Sequence, residues 1–172
     1  MMRRTMTQQP RRRRWPSRRA DTLDAVRATA DRVGSIAPSG AVFSWPLRVY
    51  YEDTDAGGVV YYANYLKFFE RCRTEWLRAL GIDQTTLALE QGLQFVVVRI
   101  EVKYLAPARL DDELTIEARL AQLGRCSLAF DQVALRAGEP LARAQVTVAC
   151  LQAQRRQPAR LPERLRGLFG PR

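Results

Sequence analysis

Two aspartates, Asp53 and Asp55, stand just ahead of a Gly57-Gly58 pair and the apolar-aromatic run Val59-Val60-Tyr61-Tyr62. A strongly amphipathic stretch follows directly. A carboxylate and a flexible turn at a helix N-terminus can act on a carbonyl group. The first-turn N–H groups have no intrahelical acceptor and can polarise the carbonyl oxygen. Asp55, in the turn between a first strand and the helix, could then attack the polarised carbon or activate a water. The same side chain could instead close an Asx-turn or serve as a remote cap, and the pattern leaves both readings open. Asp53 reads as serving the turn or organising its partner. The glycine pair gives a tight turn with positive φ, or bare backbone that a substrate can approach.

The chain of 172 residues contains no histidine. That removes Ser-His-Asp and Cys-His nucleophiles, and zinc or iron held by histidine. No P-loop or dinucleotide-binding glycine fingerprint is present. Cys72, Cys126 and Cys150 are few, odd in number and far apart. They suit neither a disulfide framework nor a metal site, read as small apolar core residues, and point to a reducing cytosol. No metal site is expected. Carboxylate chemistry with backbone donors is what remains.

These residues need elements to position them. Residues 47–52 alternate as a strand, with Leu47, Val49 and Tyr51 on one face. Tyr65, Phe68, Phe69, Cys72, Trp76 and Leu80 recur at three- and four-residue steps, which predicts a central helix with Asn64 as N-cap and Gly81 as its stop. A weaker helix is expected over 84–91. Residues 94–105, ended by Pro107, read as a strand, as do 113–123, 126–136 and 142–152, with turns at Gly124 and at Gly138-Pro140. Joined by short turns, they form an antiparallel meander. One long helix with about five strands is α+β, and the sheet must curl to cover so wide an aromatic face.

Composition, with 47% hydrophobic and 27% charged residues, is that of a soluble globular protein of one domain. The net charge of +10 is concentrated in residues 1–40, which hold 10 Arg against 3 Asp. This segment reads as a disordered Arg-rich extension, and nucleic-acid or anionic-membrane contact is expected only through it. No run approaches the roughly 20 apolar residues that span a bilayer. A cytoplasmic setting is expected.

The segment YYEDTDAGGVVYYANYLKFFERCRTEWL resembles the active-site segment of hotdog-fold acyl-CoA thioesterases of the 4-hydroxybenzoyl-CoA thioesterase type. It is most similar to the group associated with the bacterial Tol–Pal system, and WPLRVYYEDTD and YLAPARLDDELTI extend the likeness over roughly residues 43–165. The resemblance implies a curved antiparallel sheet around one long helix, the hotdog fold. Residues 41–165 would form that domain, between the extension 1–40 and a tail 166–172. It implies hydrolysis of an acyl-CoA thioester to free acid and coenzyme A, with no cofactor beyond coenzyme A as part of the substrate. The catalytic acid matches Asp55, and the backbone N–H that polarises the thioester matches Tyr62, where many Tol–Pal-type members carry histidine. Gly58, Val59, Val60 and Tyr61 would contact substrate. A homodimer or homotetramer with interfacial active sites is implied. Envelope-system or acyl-carrier partners, and a peripheral place at the inner membrane, are further expectations. A non-catalytic module that binds acyl-CoA or a partner protein is the alternative. Glu70 on the helix is a second carboxylate that some hotdog enzymes would use. Arg99, Lys103, Arg109 and Arg125 could hold coenzyme A phosphates or be ordinary surface cations.

Overall fold

The computed structural model describes residues 42–169; the expected extension 1–40 lies outside them. The chain begins with β1 (Val42–Arg48), a 3-10 turn at Tyr51–Asp53, helix α1 (Asn64–Ala79) and helix α2 (Gln84–Gln91). Strands β2 (Leu93–Tyr104), β3 (Glu113–Leu123), β4 (Ser127–Arg136) and β5 (Glu139–Gln152) follow. A two-residue strand β6 (Gln157–Pro158) and helix α3 (Glu163–Phe169) complete the chain. All the main strands pair antiparallel in the order β1-β3-β4-β5-β2, and β6 pairs with the end of β5.

Helix α1 supplies the core. Tyr65, Phe68, Phe69, Cys72, Trp76 and Leu80 are all buried, as their spacing requires. They meet the inner sheet face, where Leu114, Ile116, Phe130, Ala142 and Val146 are buried. Burial pushes the Cys72 thiol up to about 12, so it packs as a core residue and is no nucleophile at neutral pH. Asn64 is not the N-cap: Ala63 holds that position, and the Asn64 amide reaches back to the Asp53 carbonyl at 2.9 Å. The helix stops at Ala79, with Gly81 just beyond.

Three expectations change. The first strand covers Val42–Arg48 rather than 47–52, with Phe43, Trp45 and Leu47 turned half inward. Pro46 is tolerated because β1 pairs on one side only, with β3. Beyond Arg48 the Asp53 carboxylate accepts from the Tyr50 N–H at 2.9 Å and bends the chain, so Tyr51 is exposed while Val49 is buried. The meander holds only for β3-β4-β5, since β2 pairs with β5 at the opposite edge from β1. The connection 105–112 therefore crosses the end of the sheet. Leu105 bonds to Leu141, and Asp111 and Asp112 exchange bonds with Val49. Finally, α3 runs past residue 165: Leu165 and Phe169 are buried, and the Phe169 ring meets Trp76 edge-on at 5.2 Å. No helix among the described residues is long and apolar enough to cross a membrane.

Candidate active site

The crossing segment and the start of α1 frame a short loop, Asp55–Val59. Thr54 and Val60 bridge its base, closed by the Asp55 N–H to Val59 carbonyl bond at 3.0 Å and the Tyr61 N–H to Asp53 carbonyl bond at 2.8 Å. The Val60 N–H donates to Ala108 at 2.8 Å, and the Ala108 N–H donates to the Tyr65 hydroxyl at 3.2 Å, which ties loop, crossing and helix together. Within the loop the Gly58 N–H donates to the Asp55 carbonyl at 3.0 Å, with Gly58 at φ +71°, a conformation suited to glycine.

Asp55 is exposed. Its Oδ1 accepts the Gly57 N–H at 2.8 Å, so the Asx-turn reading is correct for one oxygen. The Oδ2 atom has no hydrogen-bond partner among the described residues and stays free for chemistry. A Cβ on Gly57 would sit 3.0 Å from Oδ1, so glycine there leaves room for this carboxylate. Asp53 is structural: it is 4% exposed, its carboxylate holds Tyr50, and its carbonyl accepts from Tyr61 and Asn64.

Several backbone donors of this segment are committed. Those of Gly57, Gly58, Val60, Tyr61 and Asn64 all have acceptors. The N–H groups of Ala56, Val59, Tyr62 and Ala63 have none among the described residues, and those of Tyr62 and Ala63 lie in the turn that opens α1. Tyr62, the expected donor, is thus one of the uncommitted N–H groups at this helix entrance. Around it stand aromatic side chains. The Tyr61 and Tyr62 rings lie 4.6 Å apart, and the Tyr104 ring meets Tyr62 edge-on at 6.3 Å. Hydrogen bonding and charge from the Tyr62 phenol, followed by burial and the Asp55 carboxylate, push the Tyr61 phenol above its usual range. Asp55 thus sits within electrostatic reach of Tyr61.

The expected substrate contacts divide. Gly58 and Tyr61 are exposed and Val59 is half-buried. Val60 is 5% exposed, with its N–H already used, and belongs to the core rather than the substrate surface. Glu70 accepts from the Thr74 hydroxyl at 2.7 Å, a turn further along the helix. Among the cations, Arg99 pairs loosely with Glu101 at 3.6 Å. No cluster that could hold a metal ion occurs among the described residues.

Two residues escaped the sequence reading. Arg73 is buried on the apolar face of α1, where its guanidinium donates to Gln132 at 2.7 Å and Gln132 donates to the Phe69 carbonyl at 3.0 Å. Burial lowers its pKa. Its spacing of four from Phe69 and three from Trp76 was the signal. The other is Tyr104, whose hydroxyl donates to the Tyr62 carbonyl at 2.9 Å; strand alternation carries no sign of such a bond.

Known proteins are similar to this chain in sequence and in fold. The chain is 46% identical over 127 residues to the acyl-CoA thioesterase YbgC of Haemophilus influenzae, covering 74% of this chain and 93% of that protein. It is 36% identical to a 1,4-dihydroxy-2-naphthoyl-CoA hydrolase of Synechococcus elongatus, over 66% of this chain and 84% of that protein. A probable thioesterase from Bartonella henselae, 40% identical, superposes with a TM-score of 0.68 over 71% of this chain and 100% of that one. The profile of the thioesterase-like superfamily matches residues 49–169, a span that takes in the loop, both helices of the first half and every strand after β1. With its hotdog fold and this match, the chain belongs to the thioesterase-like superfamily.

Proposed function

We propose that this protein hydrolyses acyl-CoA thioesters with Asp55 and the Tyr62 backbone N–H as its reacting centre. The observation that carries the reading is a carboxylate with one committed and one free oxygen in the loop that feeds an uncommitted donor at the start of α1. The thioester carbonyl oxygen accepts from the Tyr62 N–H. Asp55 Oδ2, or a water that it deprotonates, adds to the carbon, and negative charge grows on the oxygen beside the donor. Collapse breaks the C–S bond, and the electron pair leaves with sulfur as coenzyme A thiolate, which takes up a proton. If Asp55 attacked, a water then cleaves the Asp55–acyl anhydride, releasing the acid and restoring the carboxylate; if water attacked, the acid forms directly and the proton taken by Asp55 passes to the thiolate. A tyrosine in place of histidine at position 62 does not obstruct this route, because the donor is main chain.

Support for a thioester substrate comes from the relatives, whose names place them on acyl-CoA and 1,4-dihydroxy-2-naphthoyl-CoA. The acyl group is the open variable, and a thiol-release assay across acetyl-, butyryl-, palmitoyl- and benzoyl-CoA resolves it. Turnover of at least one is expected, and binding without turnover of any would convert the reading to a binding module.

The reading includes a homo-oligomer. Strand β2 pairs with β5 on one side only, and Val96, Val97, Val98 and Ile100 are exposed along it. An open apolar edge of this length is a pairing site for another chain, and a second copy placed there would bring cover close to the exposed Tyr62. Tol–Pal, acyl-carrier and inner-membrane associations rest on the sequence resemblance; co-purification with the envelope complex tests them.

A further inference from the structure

Tyr104 is the last residue of β2, opposite Ala142 of β5. Its hydroxyl donates to the Tyr62 carbonyl at 2.9 Å, and no other donor among the described residues reaches that oxygen. Its ring also meets Tyr65 at 5.7 Å. Burial, followed by the Tyr62 charge, pushes the phenol above its usual range, so it keeps its proton through neutral pH.

Two peptide groups flank the Tyr62 Cα. The first carries the Tyr61 carbonyl and the Tyr62 N–H. Its carbonyl accepts the Asn64 N–H at 2.8 Å. In a trans peptide the N–H and C=O point in opposite directions, so this bond turns the Tyr62 N–H away from the body of α1. The second peptide carries the Tyr62 carbonyl and is held by Tyr104. With both planes held, the two soft dihedrals at Tyr62 are fixed from outside the residue.

We propose that Tyr104 is a positioning residue for thioester hydrolysis, its hydroxyl clamping the Tyr62 carbonyl so that the Tyr62 N–H stays aimed at the developing oxyanion. The inference rests on the assignment of Asp55 and Tyr62 made above. The donor is main chain, and only proline at 62 would delete it, at the cost of the local backbone as well, so its clamp is the cleaner handle on it. Losing an oxyanion donor costs about 10²–10³ in rate, and loosening one costs part of that.

The experiment measures kcat and KM for butyryl- and benzoyl-CoA in the full-length wild type and in Tyr104→Phe, Tyr65→Phe and Asp55→Asn. Phe keeps the ring at 104 and removes only the hydroxyl. Tyr65→Phe removes a hydroxyl from the same aromatic cluster whose partner is Ala108, not Tyr62. The expected result for Tyr104→Phe is kcat lower by about 10-fold with KM unchanged, while Tyr65→Phe, whose hydroxyl braces the loop only through Ala108, loses clearly less. Equal loss in both phenol deletions, or a loss at Tyr104 accompanied by a Tm drop above about 5 °C, makes the effect general packing and overturns the proposal. Undiminished kcat in Tyr104→Phe alongside an inactive Asp55→Asn overturns the clamp alone. An active Asp55→Asn, or a wild type that turns over neither ester, overturns the catalytic assignment and the clamp with it.

Discussion

Asp55 holds its loop with Oδ1 and leaves Oδ2 uncommitted, so turn and chemistry can be separated by substitution. Asparagine keeps an oxygen for the Gly57 N–H and loses the charge. Gly57 is the complementary probe: Gly57→Ala places a methyl 3.0 Å from Oδ1 and must shift the carboxylate. Because small misplacements of a reacting group are costly, Gly57→Ala is expected to lower kcat by about 10–10²-fold, read by thiol release with the fold checked by circular dichroism. At this scale the sequence was informative about type and spacing. An acid two residues before a glycine pair, ahead of an apolar helix, pointed to Asp55 as the proposed reacting carboxylate. It could not tell Asx-turn from nucleophile, because both use the same residue; the structure shows Oδ1 in the turn and Oδ2 without a partner among the described residues. The assignment of Tyr62 came from family resemblance alone, since an unpaired backbone N–H leaves no mark on side-chain pattern.

Helix α1 was legible because six large apolar residues repeat at its period, and β3 because its inward residues alternate. Strand order was not legible. Where β2 pairs depends on a connection that crosses the sheet end through bonds to Leu141 and Val49, contacts remote in sequence that no local period encodes. The same holds for Arg73, whose acceptor Gln132 lies 59 residues away. Arg73→Ala leaves the Gln132 oxygen buried without its partner, and unfolding in urea is expected to show a loss of about 1–3 kcal/mol. The open edge of β2 makes a separate prediction. Val98→Glu adds charge where the side chain is already 59% exposed, so the fold should survive. Light scattering should show a shift from oligomer to monomer, with turnover falling in parallel. An unchanged oligomer would place the interface elsewhere.

For the molecule as a whole, the Asp55 loop, Tyr104 and every strand after β1 lie inside residues 49–169, the span matched by the superfamily profile, and β1 begins at Val42. Removal of residues 1–40 should therefore leave kcat/KM unchanged in the thiol-release assay, whatever it does to binding of polyanions. The absence of histidine, which excludes most hydrolytic centres, is compatible with the proposed one because its two parts are a carboxylate and a main-chain amide. The most direct measurement is steady-state thiol release by Asp55→Asn against wild type, on the acyl-CoA that wild type turns over fastest. Loss of the reacting carboxylate should lower kcat by about 10²–10⁴-fold or more while the melting temperature and oligomer size stay as in wild type. Wild-type turnover by Asp55→Asn would contradict the account.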